Sequence, residues 1–480
     1  MVLVAIAMVA IIAMAALSID VITLYLAREE AQRSADAGAL AAARTISISG
    51  ITGDPSNQTG NWQLICGGGT SSATLVAQAV AQQNAVGGIA AGSITVTYSA
   101  GGSTSSDCSG LPAAVGVNPM VTVLVTRANL PTFFSRMWGN KGNSVSATAT
   151  AEAFNPSNSG TLGNQTTGTI TPVQPRCVKP WFVPNLEPSN PLSPPNCQTN
   201  CLPLVNTADG SIKNPGISLG GAGTTGVIGE NFWLVPDCGY NGPSCVQRSL
   251  PQALANLPGT NRTHPPPNLE YLPGAIPVGT PTAVPSCSLG GNPYEQLIAG
   301  CDQSSSNQGA KGTIYQCGVQ SSSSPNPNLV DLSENPAGSG DTTNGVQCLI
   351  NAGAHATDPF DGEDTLNPYE KPSSYPFQIL AGRNNPVVKA GLARGTPVTS
   401  SNSIISLPIF DSGNTIGSSG QSPVTIVGFL QVFINGVDNH GNVDVTVLNV
   451  AGCSNGQGPN FVGNPVFGSS PVPVRLITSP

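Results

Sequence analysis

Three groups of side chains in this 480-residue chain carry functional groups suited to catalysis or metal binding. Asp411, Ser412 and His440 supply the carboxylate, hydroxyl and imidazole of a hydrolase triad. Their local sequences argue otherwise: Ser412 has no G-x-S-x-G around it, and both D-S-G-N and N-H-G-N are turn sequences. Asp361, Glu363 and Asp364 (DGEDT) are hard oxygen donors of the kind calcium takes, but they lack the EF-hand spacing and read as a solvated acidic loop. The third group is the 12 cysteines. Cys197 with Cys201, and Cys238 with Cys245, are close enough in sequence to chelate. Yet none of the three histidines, His264, His355 and His440, lies near either pair, and zinc favours mixed ligand sets. Disulfides in an oxidising compartment are the simpler reading. No H-E-x-x-H, P-loop or dinucleotide fingerprint occurs. The chain reads as non-enzymatic, with no cofactor, no resident metal and no small-molecule substrate.

Charge excludes a further class. Only 9 % of residues are charged, the net charge is -8 and the pI is near 4.8. Phosphate neutralisation needs clustered Lys and Arg, so nucleic acid is not an expected partner. Ser, Thr, Asn and Gly supply most of the polar surface instead, as is common in exported β-rich proteins.

The element that organises the rest is the first one. Val2 to Ile19 carries no charge and is long enough to cross a bilayer. It meets Asp20, continues as VITLYLA, and passes into REEAQRSADAGALAAAR. With no Pro and only Gly38, this composition predicts one continuous helix over residues 1–44, apolar at first and amphipathic later. A cleavable signal peptide would begin with a basic segment, so a retained anchor is expected. Arg28 and Arg33 follow the span and nothing positive precedes it, which by the positive-inside rule alone would place the body in the cytoplasm. The cysteines point outward, and a short basic leader ahead of Met1 would reconcile the two. Asp20 is either an interfacial carboxylate or a buried one that must find a partner.

Beyond the helix, residues 45–154 predict a small α+β domain. Ala73 to Ala85 has helical periodicity, while 93–98, 120–127 and 144–154 alternate as strands. Phe133, Phe134, Met137 and Trp138, in the turn between the last two, are expected in the core. Residues 155–175 read as a linker, 176–400 as a Pro-, Gly- and Cys-rich irregular region, and 401–480 as an antiparallel β region. The fold class is α+β.

The order of elements, with the residues of the first helix, resembles the TadE/TadG-like family of Flp (tight adherence) pilus assembly. The family pattern is an apolar span, an Asp, an aromatic residue and then Q-x-x-A-D-A-x-A-L-A-x-A. Here Asp20, Tyr25, Gln32, Ala35, Asp36 and Ala39 occupy its positions, followed by Leu40 and Ala41 to Ala43. The resemblance implies a single-pass protein of the bacterial inner membrane with a periplasmic or exterior body. It implies partners among other pilus-assembly proteins and pilin-like helices, met by close packing of small residues. On that reading, Leu at Ala35 and Ala39 is expected to block assembly while the body still folds. Long family members can carry a D-x-S-x-S metal motif, spelled here by Asp302, Ser304 and Ser306; it follows no apolar strand, and its Ser-rich setting accounts for the match. The alternative function is a membrane-anchored adhesin or ligand-binding protein that uses the β-rich tail, and a third is an anchored hydrolase.

Overall fold

The computed structural model describes residues 2–53, 63–100, 102–132, 134, 139, 142–157, 173–188, 202–208, 210–217, 226–236, 268–276, 292–300, 315–319, 328–334, 340–352, 362–367, 377–413, 416, 420–453, 466–468 and 470–477. It is α+β and divides into two compact units. The first comprises Met1–Ile46, Trp62–Ala153 and Val474–Pro480; the second comprises Ser47–Asn61 and Phe154–Pro473.

In the first unit the long helix runs from Val2 to Ile48, its last two residues being assigned to the second unit. It reaches four residues past the expected end at Arg44, because the Thr-Ile-Ser-Ile run contains no Gly or Pro to stop it. Gly50, in a left-handed conformation at φ +74°, follows. A five-stranded antiparallel sheet is built from Ser93–Ala100, Ser103–Ser105, Met120–Leu130, Asn143–Ala153 and the C-terminal Val474–Ile477. Period-two alternation buries Val121, Val123 and Val125 on one face of Met120–Leu130, while Thr122 and Thr126 face away. Small residues, Ala147, Ala149, Ala151 and Ala153, fill the matching positions of the next strand. The amphipathic helix Ser72–Gln83 buries Ala73, Ala77 and Ala81. Cys66 and Cys108 form a disulfide in this unit. Of the aromatic cluster, Phe134 lies in a bend and is half-buried; Phe133, Met137 and Trp138 lie outside the described residues.

The second unit is built round a closed ring of strands. Ile404–Phe410, Thr425–Val437 and Val443–Gly452 pair antiparallel, as expected for the tail. Val443–Gly452 continues antiparallel to Asn231–Pro236, which runs parallel to Asn268–Pro273. That strand meets Trp181–Pro184 antiparallel, and Trp181–Pro184 closes parallel onto Ile404–Phe410. The Pro- and Cys-rich stretch therefore supplies three strands of the ring. Each is short and Pro-terminated, which is why it shows no sustained periodicity. Closure removes the exposed edges that a tail sheet alone would present. Phe182, Leu272, Phe410 and Phe429 pack in its core beside the disulfide Cys317–Cys453. Cys177 and Cys348 are also disulfide-bonded. Cys197, Cys201, Cys238 and Cys245 lie outside the described residues.

Buried polar groups are placed by the same ring. Gln431 donates to Ser470 at 2.7 Å, and the Asn449 amide donates to Gln431 at 3.3 Å and to the Ser47 carbonyl. Only Gly fits at position 50, since a side chain there would collide with Ile228. Lys179 is 3 % exposed and donates from Nζ to the Gly300 carbonyl at 2.7 Å, at the C-terminal end of helix Pro293–Ala299.

Burial pushes the Lys179 ammonium down to about 7 from the usual 10.5. Between those values the unfolded chain binds the proton that the folded chain has released, so stability of the second unit rises with pH across that window. Below about pH 7 both states are protonated and the burial penalty is fully expressed. Denaturant unfolding of the full chain, followed by tryptophan fluorescence at several pH values, should show this rise. Lys179→Met should flatten it; an unchanged slope in the variant would contradict the assignment.

Candidate functional site

The residues of the first helix fall on two faces. Ala16, Asp20, Ala27, Ala31, Ser34, Ala35, Ala39 and Ala42 are buried, recurring at helical spacing along one side. The large apolar residues of the first turns are exposed all round, Met8 and Ile12 on the Ala16 side included, and exposed ones continue to Leu26, among them Ile11 at 61 % and Ile22 at 57 %. Beyond Leu26 no large hydrophobic residue of this helix is exposed. The helix thus changes character within a turn or two of Asp20. Before it the apolar surface is uncovered, and after it the small-residue face is covered by the chain itself.

Close approach explains the small residues. A Cβ at Gly38 would stand 3.0 Å from the Ala77 carbonyl oxygen, 3.2 Å from Ala81 Cβ and 3.4 Å from Val123 Cγ1. Ser34 Oγ donates to the Ala81 carbonyl at 2.8 Å, pinning the two helices at the same level. Ala is favoured over Gly by about 1 kcal/mol in a helix interior, so a mid-helix Gly needs a reason. The contact with Ala77 and Ala81 is that reason. The lone Gly in an Ala-rich helix was the sequence signal for it.

Asp20 has a partner. Its side chain, 4 % exposed, accepts the Phe134 backbone N–H at 3.1 Å through Oδ2 and at 3.4 Å through Oδ1. A carboxylate that leaves water must recover hydrogen bonds, and an amide of the turn between two sheet strands supplies one. Nothing in the sequence marked that amide, since any residue carries one. Gln32 bridges, donating from Nε2 to Asp36 Oδ1 at 2.7 Å and to the Thr148 carbonyl at 3.3 Å. Glu30 Oε2 accepts the Gly87 N–H at 2.7 Å. Tyr25 stands apart, 67 % exposed, at a groove of about 410 Å³ lined by Val21, Leu24, Tyr25, Arg28 and Ser144 to Ser146. Ala35 and Ala39 are fully buried within the chain. A Leu at either position would therefore act first on folding of this unit.

The other sequence candidates resolve into turns. Asp411 Oδ1 accepts the Gly413 N–H at 3.0 Å, an Asx turn. Exposed His440 sits in a turn held by Asp438, which accepts the His440 and Asn442 N–H groups at 2.8 and 2.9 Å. The acidic loop is not solvated: Glu363 and Asp364 are 4 % and 6 % exposed. Asp364 accepts from the Gly382 N–H, the Asn385 amide and the Ser401 hydroxyl, so the carboxylate ties three chain segments together. Asp361, Asp302, Ser304 and Ser306 lie outside the described residues, as do His264 and His355.

Two substitutions test this site. Asp20→Ala strands the Phe134 amide and should cost about 1–3 kcal/mol, whereas Asp20→Asn, still able to accept, should cost less. Gly38→Ala should destabilise despite its better helix propensity, because overpacking costs about 1–3 kcal/mol against a propensity gain of about 1. Both are read by denaturant unfolding of the full chain in detergent, and a stabilised Gly38→Ala would refute the close packing.

No curated protein and no solved structure matches the chain. The stretch that carries this geometry is the one with a known likeness: residues 1–45 match the family model described as "Putative Flp pilus-assembly TadE/G-like".

Proposed function

We propose that this chain is a membrane-anchored, non-enzymatic component of Flp pilus assembly, with its body on the outer side of the bacterial inner membrane. The observation that carries the reading is the coincidence of two features over one segment. Residues 1–45 match the pilus-assembly family model, and the first half of that segment leaves its apolar surface uncovered. The helix is long and apolar enough to cross a membrane, with a mean hydropathy of 2.9 over its most apolar window. The disulfides Cys66–Cys108 and Cys317–Cys453 favour an oxidising compartment for the body.

Within lipid no hydrophobic gain drives helices together. Close van der Waals packing at small residues does. Ala35 and Ala39 serve the chain's own unit, so the small residues left for other pilin-like helices are those on the uncovered part. Ala7, Ala10, Ala15 and Ser18 are exposed there. Assembly partners would dock at these positions and along the body.

The double variant Ala7→Leu, Ala10→Leu should abolish or strongly reduce piliation in cells, while the purified protein unfolds at the wild-type denaturant concentration. Normal piliation would count against helix packing as the mechanism. Full piliation in a strain lacking the gene altogether would overturn the functional reading itself.

A further inference from the structure

The sheet of the first unit ends on one side in a short strand. Val474–Ile477 covers only Thr150–Ala153 of the longer strand Asn143–Ala153. Two bonds fix which way the uncovered backbone points. Ala153 N–H donates to the Pro119 carbonyl, beside Met120–Leu130, and Phe154 N–H donates to the Pro473 carbonyl, beside Val474–Ile477. Backbone groups alternate along a strand, so those of Ser144, Ser146 and Thr148 turn to the same side as Phe154. The Thr148 carbonyl there accepts Gln32 Nε2 at 3.3 Å, and no strand among the described residues pairs with Ser144 or Ser146 on that side. Residues 143–149 carry no charge and no Pro, the devices that ordinarily protect an edge.

The covering strand is lightly held. None of its four residues is buried, and Leu476 is 42 % exposed. Arg475 ties it to the sheet through an ion pair with Glu152. Glu152 is 2 % exposed and also accepts the Asn118 amide at 3.0 Å. A buried carboxylate left without its cation is costly, so this slot selects a basic residue.

We propose that Val474–Ile477 is a displaceable strand, and that the edge formed by Ser144–Ala153 docks an extended segment of another protein of the assembly. The incoming strand runs antiparallel to Asn143–Ala153, starts on the open half, and takes over the covered half as Val474–Ile477 leaves. Main-chain bonds supply the affinity and alternate side chains the selection. The edge sets its chemistry: a basic residue opposite Glu152, and apolar residues opposite Val145, Ala147 and Ala149, on the face that buries Ala147 and Ala149. A strand of about ten residues forms more ladder bonds than the short one it replaces, which offsets the high effective concentration of an attached strand. The identity of the partner rests on the assembly reading above; the exchange itself does not.

The test uses the full chain in detergent and a fluorescent peptide of about ten residues that repeats the sequence of Val474–Ile477 and continues with alternating Val and Thr. Wild type should bind it saturably, read by anisotropy, and a peptide with Glu in place of its Arg should bind about tenfold more weakly. Leu476 faces Ala151 as a non-hydrogen-bonded pair, a spacing that a disulfide spans. The oxidised double variant Ala151→Cys, Leu476→Cys should therefore bind about tenfold less than wild type, and reduction should restore binding. No binding by wild type, equal binding of the two peptides, or equal binding by the oxidised variant would each overturn the proposal. Displacement of the peptide by excess unlabelled full chain would assign the slot to a second copy and overturn the choice of partner. None of these measurements involves piliation, so their failure leaves the assembly reading standing, and the strain lacking the gene tests that reading separately.

Discussion

A helix that leaves a bilayer must transfer its apolar side from lipid to protein without passing it through water. On the anchor reading proposed above, side-chain size makes that transfer in this chain. Large aliphatic residues occupy the part of the helix whose apolar side chains are exposed, and Ala, Ser and Gly occupy the covered face from Ala27 onward. The small residues let the helix Ser72–Gln83 approach close enough for Ser34 to reach the Ala81 carbonyl and for Gly38 to lie near Ala77. Asp20 sits where the two regimes meet, and its carboxylate is satisfied by the Phe134 amide rather than by a second chain. The charge that looked costly is thus a tie between the helix and the turn joining two sheet strands.

The second unit solves a different problem. Its sequence is poor in charge and rich in Pro and Gly, so it has few long periodic segments with which to bury a core. Closing six strands into a ring gives each of them at least two neighbours, and disulfides such as Cys317–Cys453 join segments far apart in the chain. Buried carboxylates and amides then act as local ties. Asp364, which holds Gly382, Asn385 and Ser401, and Asn449, which reaches Gln431 and Ser47, are two of them.

Much of the first unit was legible in the sequence, because periodicity reports burial on one face. Strand Met120–Leu130 alternates Val with polar residues, and the helix Ser72–Gln83 repeats Ala at its buried positions. The tail strands were legible for the same reason. The ring was not, since Trp181–Pro184 and Asn268–Pro273 are too short to show a period and their partners lie far away in the chain. At the site, the types Asp20, Gln32 and Ala35 were visible. Their partners, a backbone amide at Phe134 and a backbone carbonyl at Thr148, carry no side-chain signature. The acidic run at Glu363 and Asp364 misled because composition suggests solvation, whereas the donors that bury Asp364 come from residues far along the chain.

The central claim is that lipid covers the first half of this helix and protein covers the second. Photolabelling of the full chain in vesicles, with a carbene probe carried on a lipid tail and mapped by mass spectrometry, tests it directly. Labels should fall on exposed positions between Val2 and Leu26 and be absent from Ala27 to Ile46. Labels spread through Ala31, Ala35 and Ala39, or absent from the first half, would contradict it.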